Sequence, residues 1–312
     1  MRILIIGCGY IGSVIGQKLA AEGHTVIGVT RSGDSAGSLD QLGVEPRTAD
    51  CSMIEGARFA CHGGADVVIF CVSSRGGDYR KTYVEGMRCV LHAIEKQPPQ
   101  LFLYTGSASV YAQATGEWVV ETSPTEPSCE NGQLLLETER LLTHVAQGRF
   151  TARILRSSGI YGPGRHAMLD QLRDGAETLP VDGGYWINRV HRDDVVSAIM
   201  LLAKSNIQNP TLKILNVSDN TPVLQRDYVG WLCEQWEQHM SHYAPEARPE
   251  VRCGALRKKR KGRGTPPSNR RISNQALRSL GWTPKYPDYQ TGLLEIMEHE
   301  LGIPKPGAVF CK

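Results

Sequence analysis

Residues 3–12, ILIIGCGYIG, join a short apolar run to three glycines in the pattern G-x-G-x-x-G. Four aliphatic residues in succession predict a strand that is buried on both faces. In this pattern Gly7 permits a tight turn and Gly9 lets the backbone approach a pyrophosphate, while Gly12 lets the following helix pack on the strand. The N-terminus of that helix then faces the phosphates. The strand before the glycines and the helix after them favour a dinucleotide site over a purely structural turn.

The same alternation of apolar runs and helical patterns continues through the first half of the chain. Further strands are predicted at 25–30, 44–50, 66–72, 101–105 and 152–155. Helical patterns cover 10–22, 80–96 and 131–147. Strands and helices that alternate at this spacing predict an α/β fold, namely a Rossmann-type doubly wound parallel sheet.

After residue 159 the alternation is looser. The sequence predicts a turn-rich loop at 161–165, a helix that begins at Asp193 and a strand at 212–217. A helix at 225–237, a loop at 245–269 and two helices at 274–280 and 290–301 follow. We therefore expect a NAD(P)-binding Rossmann domain over 1–160, with its sheet completed by parts of 188–220. Residues 161–312 are expected to form mainly a smaller C-terminal substrate-binding lobe.

The end of the second predicted strand bears on the choice between NAD and NADP. An acidic residue there would bind the ribose 2′-hydroxyl, but the chain reads VTRSGD, with Thr30 in that position. Arg31 and Ser32 can hold a 2′-phosphate by charge-assisted hydrogen bonds. Asp34 is a rival ribose ligand, and a solvated surface arginine is the alternative interpretation of Arg31. The sequence thus favours NADP(H), with NAD(H) as the alternative.

Composition limits the classes of function. The 312 residues carry a net charge of +3, which is too small to indicate a nucleic-acid or membrane partner for the whole molecule. The nine cysteines are scattered without zinc-ligand spacing, so we expect no metal site and a reducing, cytoplasmic location. No stretch approaches the roughly 20 apolar residues of a membrane span.

Four further segments resemble the extended short-chain dehydrogenase/reductases, that is, the NAD-dependent epimerase/dehydratase family. They are TGSASVYA (105–112), LRSSGIYGPGR (155–165), NRVHRDDVVSAI (188–199) and RRISNQALRSLGWTP (270–284). The resemblance implies that Ser107 holds the position of the catalytic serine. It also implies cofactor contacts from residues of the glycine loop and of the segments after the third and fourth strands: Tyr10, Ile11, Asp50, Cys51, Val72 and Ser73.

The chain departs from this family at residues 129–139, CENGQLLLETE. The family uses a tyrosine to move the substrate proton, and a lysine four residues later to lower the pKa of that tyrosine. Alignment of the helix puts Asn131 and Leu135 at these positions, which share one helix face. Neither side chain can replace a titratable acid. The chain therefore resembles the atypical, YeeZ-like subgroup that lacks the active-site tyrosine.

Few candidates remain for the proton chemistry. Ser107 can orient a carbonyl or hydroxyl group, and Asn131 occupies the old tyrosine position. Tyr161 lies on a loop expected near the nicotinamide and is a candidate replacement acid. Tyr111 and His191 are candidates too, although a packed structural role is the alternative for each. Glu137 and Glu139 are expected on a solvated or helix-pairing face.

Two functional hypotheses follow. The first is an oxidoreductase or epimerase-type enzyme for a small-molecule substrate, with an anionic substrate and a homodimer as options. The second is a non-catalytic NADP(H)-binding sensor or partner protein. The basic segment 257–264, RKKRKGRG, has three interpretations: a solvated loop, a funnel for an anionic substrate or a nucleic-acid patch. The last is disfavoured, because no aromatic residues are interleaved with the charges.

Overall fold

The structure is a computed structural model, and it describes residues 1–74, 76–176, 178–181, 184–204, 214–243, 252–255 and 268–301. The strands within this part of the chain are β1 Arg2–Ile6, β2 Thr25–Thr30, β3 Glu45–Thr48, β4 Val67–Phe70, β5 Leu101–Ser107, β6 Trp118–Val119, β7 Thr151–Ser157, β8 Gly159–Tyr161, β9 Thr178–Pro180, β10 Trp186–Ile187, β11 Arg189–His191, β12 Ile214–Val217, β13 Val223–Leu224, β14 Arg252–Ala255 and β15 Arg271–Ile272. The α-helices are α1 Gly12–Ala21, α2 Gly33–Asp40, α3 Ile54–Cys61, α4 Gly86–Ala93, α5 Glu130–Ala146, α6 Ala167–Arg173, α7 Arg192–Lys204, α8 Gln225–Tyr243, α9 Gln275–Arg278 and α10 Tyr289–Leu301.

Seven strands form one sheet in the order β12-β7-β5-β4-β1-β2-β3. Every pair of neighbours in it is parallel. Alternate residues of β1 enter different hydrophobic clusters, Ile3 and Ile5 on one face and Leu4 and Ile6 on the other. This two-sided burial explains why the strand is an uninterrupted apolar run. The doubly wound Rossmann-type fold predicted from the sequence is confirmed.

A third hydrophobic cluster lies in the C-terminal part of the chain, apart from the two clusters of the sheet. It joins α6, β9, α8 and α10 through Leu169, Leu179, Leu232 and Leu293. Helix α7, by contrast, packs back against the sheet. The seventh strand of the sheet, β12, also comes from this later part of the chain. The division into a cofactor domain over 1–160 and a substrate lobe over 161–312 stays a prediction.

Some elements differ from those predicted. Strand β14 lies within the predicted loop 245–269 and pairs in parallel with β9. Helices α2 and α3 were not predicted, and the helix predicted at 80–96 begins as a π-helical segment, Arg80–Glu85, before α4. The basic segment 257–264 lies outside the described residues. None of the described helices is both long enough and apolar enough to cross a membrane.

Candidate active-site cleft

The carboxyl ends of the central strands open into one cleft with a volume of about 1300 Å³. It runs from the glycine loop between β1 and α1 to the first turn of α5. Parallel α/β sheets bind their ligands at this edge, because the chain reverses its direction of winding there. Of the predicted cofactor residues, those that line the cleft are Gly7, Gly9, Tyr10, Ile11, Arg31, Ser32, Asp50, Cys51, Val72 and Ser73. Gly12 is buried behind them, between α1 and the sheet.

The glycine loop depends on its missing side chains. Gly7 has a φ of +89°, and a Cβ atom there would lie 2.7 Å from the backbone of Val72. A Cβ atom on Gly12 would lie 2.7 Å from the carbonyl oxygen of Gly7. Gly9 is not among the described glycines with positive φ, so its own conformation does not require glycine. The loop therefore presents bare backbone and the N-terminus of α1 to the cleft, as an anion site requires.

The turn after β2 exposes two side chains that can recognise a 2′-phosphate. Thr30 stands at the position of the usual acid, and its hydroxyl donates to the Ser32 carbonyl oxygen at 3.0 Å. The Thr30 side chain is therefore engaged within the turn. Arg31 and Ser32 are exposed and line the cleft. Arg31 forms no ion pair with the side chains that the structure describes, among which that of Asp34 is not included. This end of the cleft consequently offers an exposed guanidinium and no acidic ribose ligand from β2.

Asp50 and Tyr10 line the same end of the cleft. The Asp50 carboxylate accepts hydrogen bonds from the backbone and the hydroxyl of Ser52 at 3.0 and 2.6 Å, and these lower its pKa. The Tyr10 hydroxyl is buried without a hydrogen-bond partner among the described residues. Burial raises the pKa of Tyr10 to about 12, so this side chain stays a neutral donor. The guanidinium groups of Arg165 and Arg192 lie 5.7 and 5.3 Å from its ring centre.

The opposite wall of the cleft contains the positions aligned with the family's catalytic residues. Ser107 ends β5, and its hydroxyl accepts a hydrogen bond from the Ser109 backbone at 3.2 Å. Asn131 is exposed to the cleft in the first turn of α5, and Leu135 follows one turn later. Leu135 is buried against an apolar cluster that includes Val110. This wall thus offers a hydroxyl and an amide, but neither Asn131 nor Leu135 can exchange a proton.

Glu139 lies one helical turn beyond Leu135. The sequence predicted a solvated or helix-pairing face for this residue, and that prediction is wrong. Its side chain is 4% exposed, and its carboxylate accepts two hydrogen bonds from Arg156 of β7, at 3.0 Å from Nε and 2.7 Å from Nη2. Burial acts to lower the pKa of Arg156, but the hydrogen bonds and charge of Glu139 outweigh it, so this pKa is raised. Glu137 does lie on the outer face, 3.4 Å from Arg80. The two glutamates of LLLETE therefore have opposite environments.

Tyr111 packs against this buried pair. The guanidinium of Arg156 lies 4.8 Å from the centre of the Tyr111 ring, and the Tyr111 hydroxyl donates to Asn216 Oδ1 at 2.7 Å. Burial raises the pKa of Tyr111, which disfavours loss of its proton. These contacts support the structural interpretation of Tyr111 that the sequence left open.

Tyr161 is not where the sequence suggested. It does not line the cleft but lies in the C-terminal hydrophobic cluster, where it is 4% exposed. Its hydroxyl donates to the Asp288 carbonyl oxygen at 3.4 Å. Burial raises its pKa well above the usual range. This position argues against Tyr161 as a replacement acid, because an acid must reach the substrate.

His191 is also enclosed. It is 2% exposed, lies between the rings of Tyr161 and Tyr286, and accepts the backbone N–H of Asp193 at 3.2 Å. Burial lowers its pKa to about 4, so the imidazole is neutral at neutral pH. The carboxylate of Asp194 accepts backbone hydrogen bonds at 2.6 and 3.0 Å from Lys285 and Tyr286. The His-x-Asp-Asp helix start thus holds the C-terminal segment in place.

Sequence reasoning missed the cations that line the cleft beside Arg31; besides Lys81 and Arg165, they include two on its far side. Arg189 and Arg270 both line it, on β11 and just before β15. Each belongs to a segment that was quoted for its resemblance, but neither was singled out. An arginine in a motif gives no sign of where its guanidinium points.

Comparison with known proteins places this geometry in a family. The family model described as "NAD dependent epimerase/dehydratase family" matches residues 3–218. Protein YeeZ of Escherichia coli (strain K12) is 29% identical over 209 residues, which cover 65% of this chain and 73% of that protein. A ketoreductase of Stigmatella aurantiaca, whose substrate is 4-hydroxy-2-methyl-3-oxo-4-farnesyl-3,4-dihydroquinoline-1-oxide, is 26% identical over 247 residues, 75% of this chain and 73% of that protein.

A solved structure extends the likeness to the whole chain. It is that of a candidate NAD-dependent epimerase/dehydratase from Methylobacillus flagellatus, which is 31% identical. The match covers 96% of this chain and 98% of that one, with a TM-score of 0.75. These matches confirm the family that the sequence motifs indicated: the chain belongs to the NAD-dependent epimerase/dehydratase family.

Proposed function

We propose that this protein is an NADP(H)-dependent oxidoreductase or epimerase-type enzyme that acts on a small polar substrate without a Tyr–Lys proton relay. The observation that carries the proposal is a single cleft, lined at one end by the glycine loop and Arg31 and on its opposite wall by Ser107 and Asn131. Its volume of about 1300 Å³ exceeds the roughly 300–1,000 Å³ of ordinary small-molecule pockets, which leaves room for a substrate beside a dinucleotide.

The residues at the glycine-loop end fit a dinucleotide. The loop backbone and the N-terminus of α1 would hold the pyrophosphate, since no Cβ atom intervenes at Gly7 or Gly9. Arg31 and Ser32 would hold the 2′-phosphate of NADP(H), because Arg31 is exposed and unpaired among the described residues. NAD(H) is the alternative cofactor. It would bind in the same place without the interaction between Arg31 and a 2′-phosphate.

When bound, the nicotinamide supplies the hydride chemistry. The protein then has to hold the substrate in line and to manage one proton. The Ser107 hydroxyl can orient a carbonyl or hydroxyl group, and the Asn131 amide can donate or accept a hydrogen bond beside it. Neither group titrates near neutral pH, so in this proposal the proton comes from water in the open cleft or from the substrate. Loss of a positioned general acid lowers a rate by about 10²–10⁴-fold, and the remaining acceleration survives.

Cofactor choice gives the direct test. We expect NADPH to bind more tightly than NADH in a fluorescence titration, and Arg31→Asp to reverse that order. Loss of a charge-assisted interaction should weaken NADPH binding by about ten-fold or more. Lys81→Met is the matched control, because Lys81 lines the same end of the cleft but pairs with Asp50 at 3.4 Å. Equal affinities for both cofactors in the parent protein would contradict the NADP(H) preference.

A second candidate is a non-catalytic NADP(H)-binding protein, and the observation that favours it is the non-titrating pair Asn131 and Leu135 on the cleft wall. The two candidates differ in turnover. A panel of small carbonyl compounds, assayed for NADPH oxidation with the protein saturated by NADPH, should reveal at least one substrate of an enzyme. Tight NADPH binding without turnover on any compound of the panel, together with a specific protein partner, would favour the second candidate.

A further inference from the structure

Two arginines line the cleft away from the glycine-loop end, and neither forms a hydrogen-bonded ion pair with a carboxylate in the part of the chain that the structure describes. Arg189 and Arg270 form no ion pair within 4 Å among the described residues. The acidic side chains that line the cleft, Asp50 and Asp78, both lie next to Lys81 instead: Asp50 at 3.4 Å from its Nζ atom and Asp78 as acceptor of its backbone N–H at 2.9 Å. The end of the cleft at Arg189 and Arg270 is therefore cationic and open.

Arg270 is held rigidly but only partly satisfied. It is 8% exposed, and its Nη1 atom donates to the backbone carbonyl oxygen of Tyr111 and, at 3.5 Å, to that of Ala108. The Asn188 side chain fixes the backbone that follows it, donating to the Arg270 carbonyl oxygen at 2.9 Å and accepting from the Ile272 N–H at 2.7 Å. No hydrogen bond within the described residues uses Nε or Nη2 of Arg270. Since Ala108 directly follows Ser107, this guanidinium lies near the proposed reaction centre.

Arg189 has an unused donor as well. Its Nε atom is buried without a hydrogen-bond partner among the described residues. Its guanidinium lies 4.8 Å from the centre of the Tyr228 ring, which supports it from one side. Asn188, its neighbour in the chain, is the residue that fixes Arg270, so one short segment positions both cations.

An unpaired guanidinium at a half-buried or buried position is unfavourable, because it loses water without gaining an anion. Arg156 shows how this chain satisfies a buried arginine when the role is structural, with both oxygens of Glu139 in place. Arg189 and Arg270 have no such hydrogen-bonded partner among the described residues. The charges of Asp219 and Glu117 act on them only from a distance, and both arginines face a cleft large enough for a ligand. The missing anion is therefore expected to arrive with the ligand.

We propose that Arg189 and Arg270 form an oxyanion subsite, which binds a carboxylate or phosphate group of the substrate. The inference rests on the proposed function, and it narrows the small polar substrate to one that carries an anionic group next to the reacting carbonyl or hydroxyl. A guanidinium presents parallel N–H donors that match both oxygens of a carboxylate or phosphate. Arg189 and Arg270 would thus set specificity, while Ser107 contacts the reacting group.

The test uses malonate and inorganic phosphate as probes and malonamide as the uncharged control. Each is titrated into the protein saturated with NADPH, at a constant ionic strength set with sodium chloride, and the shift in melting temperature is recorded. We expect a saturable shift with one or both anions and none with malonamide. Phosphate also stabilises folded proteins non-specifically, so only a saturable, variant-sensitive shift counts. A response to malonate alone identifies a carboxylate subsite, and a response to phosphate alone identifies a phosphate subsite.

The variants locate the subsite. Arg270→Met keeps the apolar stem but removes the charge, and it should weaken anion binding by about ten-fold or more. Arg270→Lys should retain part of the binding, and Arg189→Met should weaken it independently. Arg271→Met is the matched control, because Arg271 adjoins Arg270 in the chain but does not line the cleft, and it lies between the rings of Trp118 and Trp186 at 5.2 and 5.1 Å.

NADPH affinity, measured on each variant, separates this inference from the proposed function. If NADPH binds but neither anion shifts the melting temperature saturably, the subsite does not exist and the proposed cofactor function stands. An anion response that is equal in the parent, Arg270→Met and Arg189→Met overturns the inference too. If NADPH fails to bind, the proposed function fails, and the same titrations without NADPH still decide whether these two arginines bind an anion.

Discussion

The two sides of the cleft are built from different parts of the polypeptide. On the glycine-loop side the shape comes from backbone: Gly7 turns at positive φ, and the α1 N-terminus lies open behind it. On the α5 side the shape comes from side chains, with Glu139 and Arg156 paired beneath Asn131 and Leu135. Backbone geometry is encoded by local glycines, whereas a buried ion pair depends on residues far apart in sequence. A motif therefore specifies the first side much better than the second.

The comparison also indicates which residues of α5 carry the fold and which only line the cleft. Asn131, Leu135 and Glu139 lie four residues apart along one face of α5, but only Glu139 is tied to the sheet. Asn131 is exposed to the cleft and anchors nothing that the structure describes. The ion pair that ties α5 to the sheet therefore does not involve Asn131, which we propose contacts the substrate.

The largest expected effect is on the α5 side. Glu139→Ala leaves the Arg156 guanidinium buried without its anion, and it should lower the free energy of unfolding by about 3–5 kcal/mol. Glu137 lies two residues before Glu139 on the same helix and is the exposed partner of Arg80. Glu137→Ala should lower the free energy of unfolding by only about 0–1 kcal/mol. Urea unfolding of both variants without cofactor measures the difference. Similar losses in the two variants would mean that the buried pair does not hold this side together.

On the glycine-loop side, two neighbouring glycines should respond in opposite ways. Gly7→Ala forces a side chain into a left-handed conformation and against the Val72 backbone, so it should destabilise the fold by about 2 kcal/mol or more. Gly9→Val has no such conformational conflict and should leave the melting temperature nearly unchanged. It should nevertheless abolish NADPH binding, because the side chain enters the space of the pyrophosphate. A folded Gly9→Val variant with unchanged NADPH affinity would place the cofactor elsewhere.

Much of the fold was predictable because parallel strands are buried on both faces. The runs at 25–30, 66–72 and 152–155 are rich in apolar residues for that reason, and each coincides with a strand of the sheet. Strand β14 was missed because its four residues, RCGA, show no apolar alternation and lie in a basic stretch rich in proline and glycine. Helices α2 and α3 are short and weakly apolar, so their sequences do not show a helical period that stands out from a loop.

The candidate site was predictable where a motif or an aligned helix fixes the position of a residue along its element. The glycine loop, Ser107 and Asn131 all line the cleft, as the sequence motifs suggested. Tyr161 shows the limit, because a tyrosine on a loop can point toward the cleft or into the core, and the sequence does not say which. Arg189 and Arg270 were overlooked for a related reason: their significance lies in a missing partner, which only coordinates reveal.

A smaller effect is expected at Tyr111, which adjoins the buried pair. Tyr111→Phe removes the hydrogen bond to Asn216 and should cost about 1–2 kcal/mol of stability, since the Asn216 acceptor is left unsatisfied. If Tyr111 is structural, as its contacts indicate, turnover of any identified substrate should stay within about two-fold per folded molecule. A rate that falls by about 10² or more, the size of a lost general acid, would instead assign the missing proton chemistry to Tyr111.

The smallest and most specific effect concerns the two exchanged positions on α5. Asn131→Tyr with Leu135→Lys restores the residue types that the family uses, one helical turn apart and on the cleft wall. Asn131 is exposed, so a tyrosine fits there without repacking. Leu135 is 5% exposed and packs with Val110, so a lysine must direct its ammonium out of that apolar cluster and into the cleft. Some loss of stability is expected for this reason.

If the lysine reaches the nicotinamide ribose, it donates a hydrogen bond and its charge lowers the pKa of the new tyrosine. We therefore expect NADPH affinity to rise by a few-fold, because one hydrogen bond contributes about 0.5–1.5 kcal/mol. We also expect the new tyrosine to have a pKa below its usual range. Carbonyl reductase activity in the double variant is not required for the alignment to hold, because the pocket also selects the substrate. The control is Leu136→Lys, one position along the helix and off the shared face. Equal NADPH affinities in the double variant and in this control would show that the helix is misaligned, and that Asn131 and Leu135 do not occupy the positions of the lost relay.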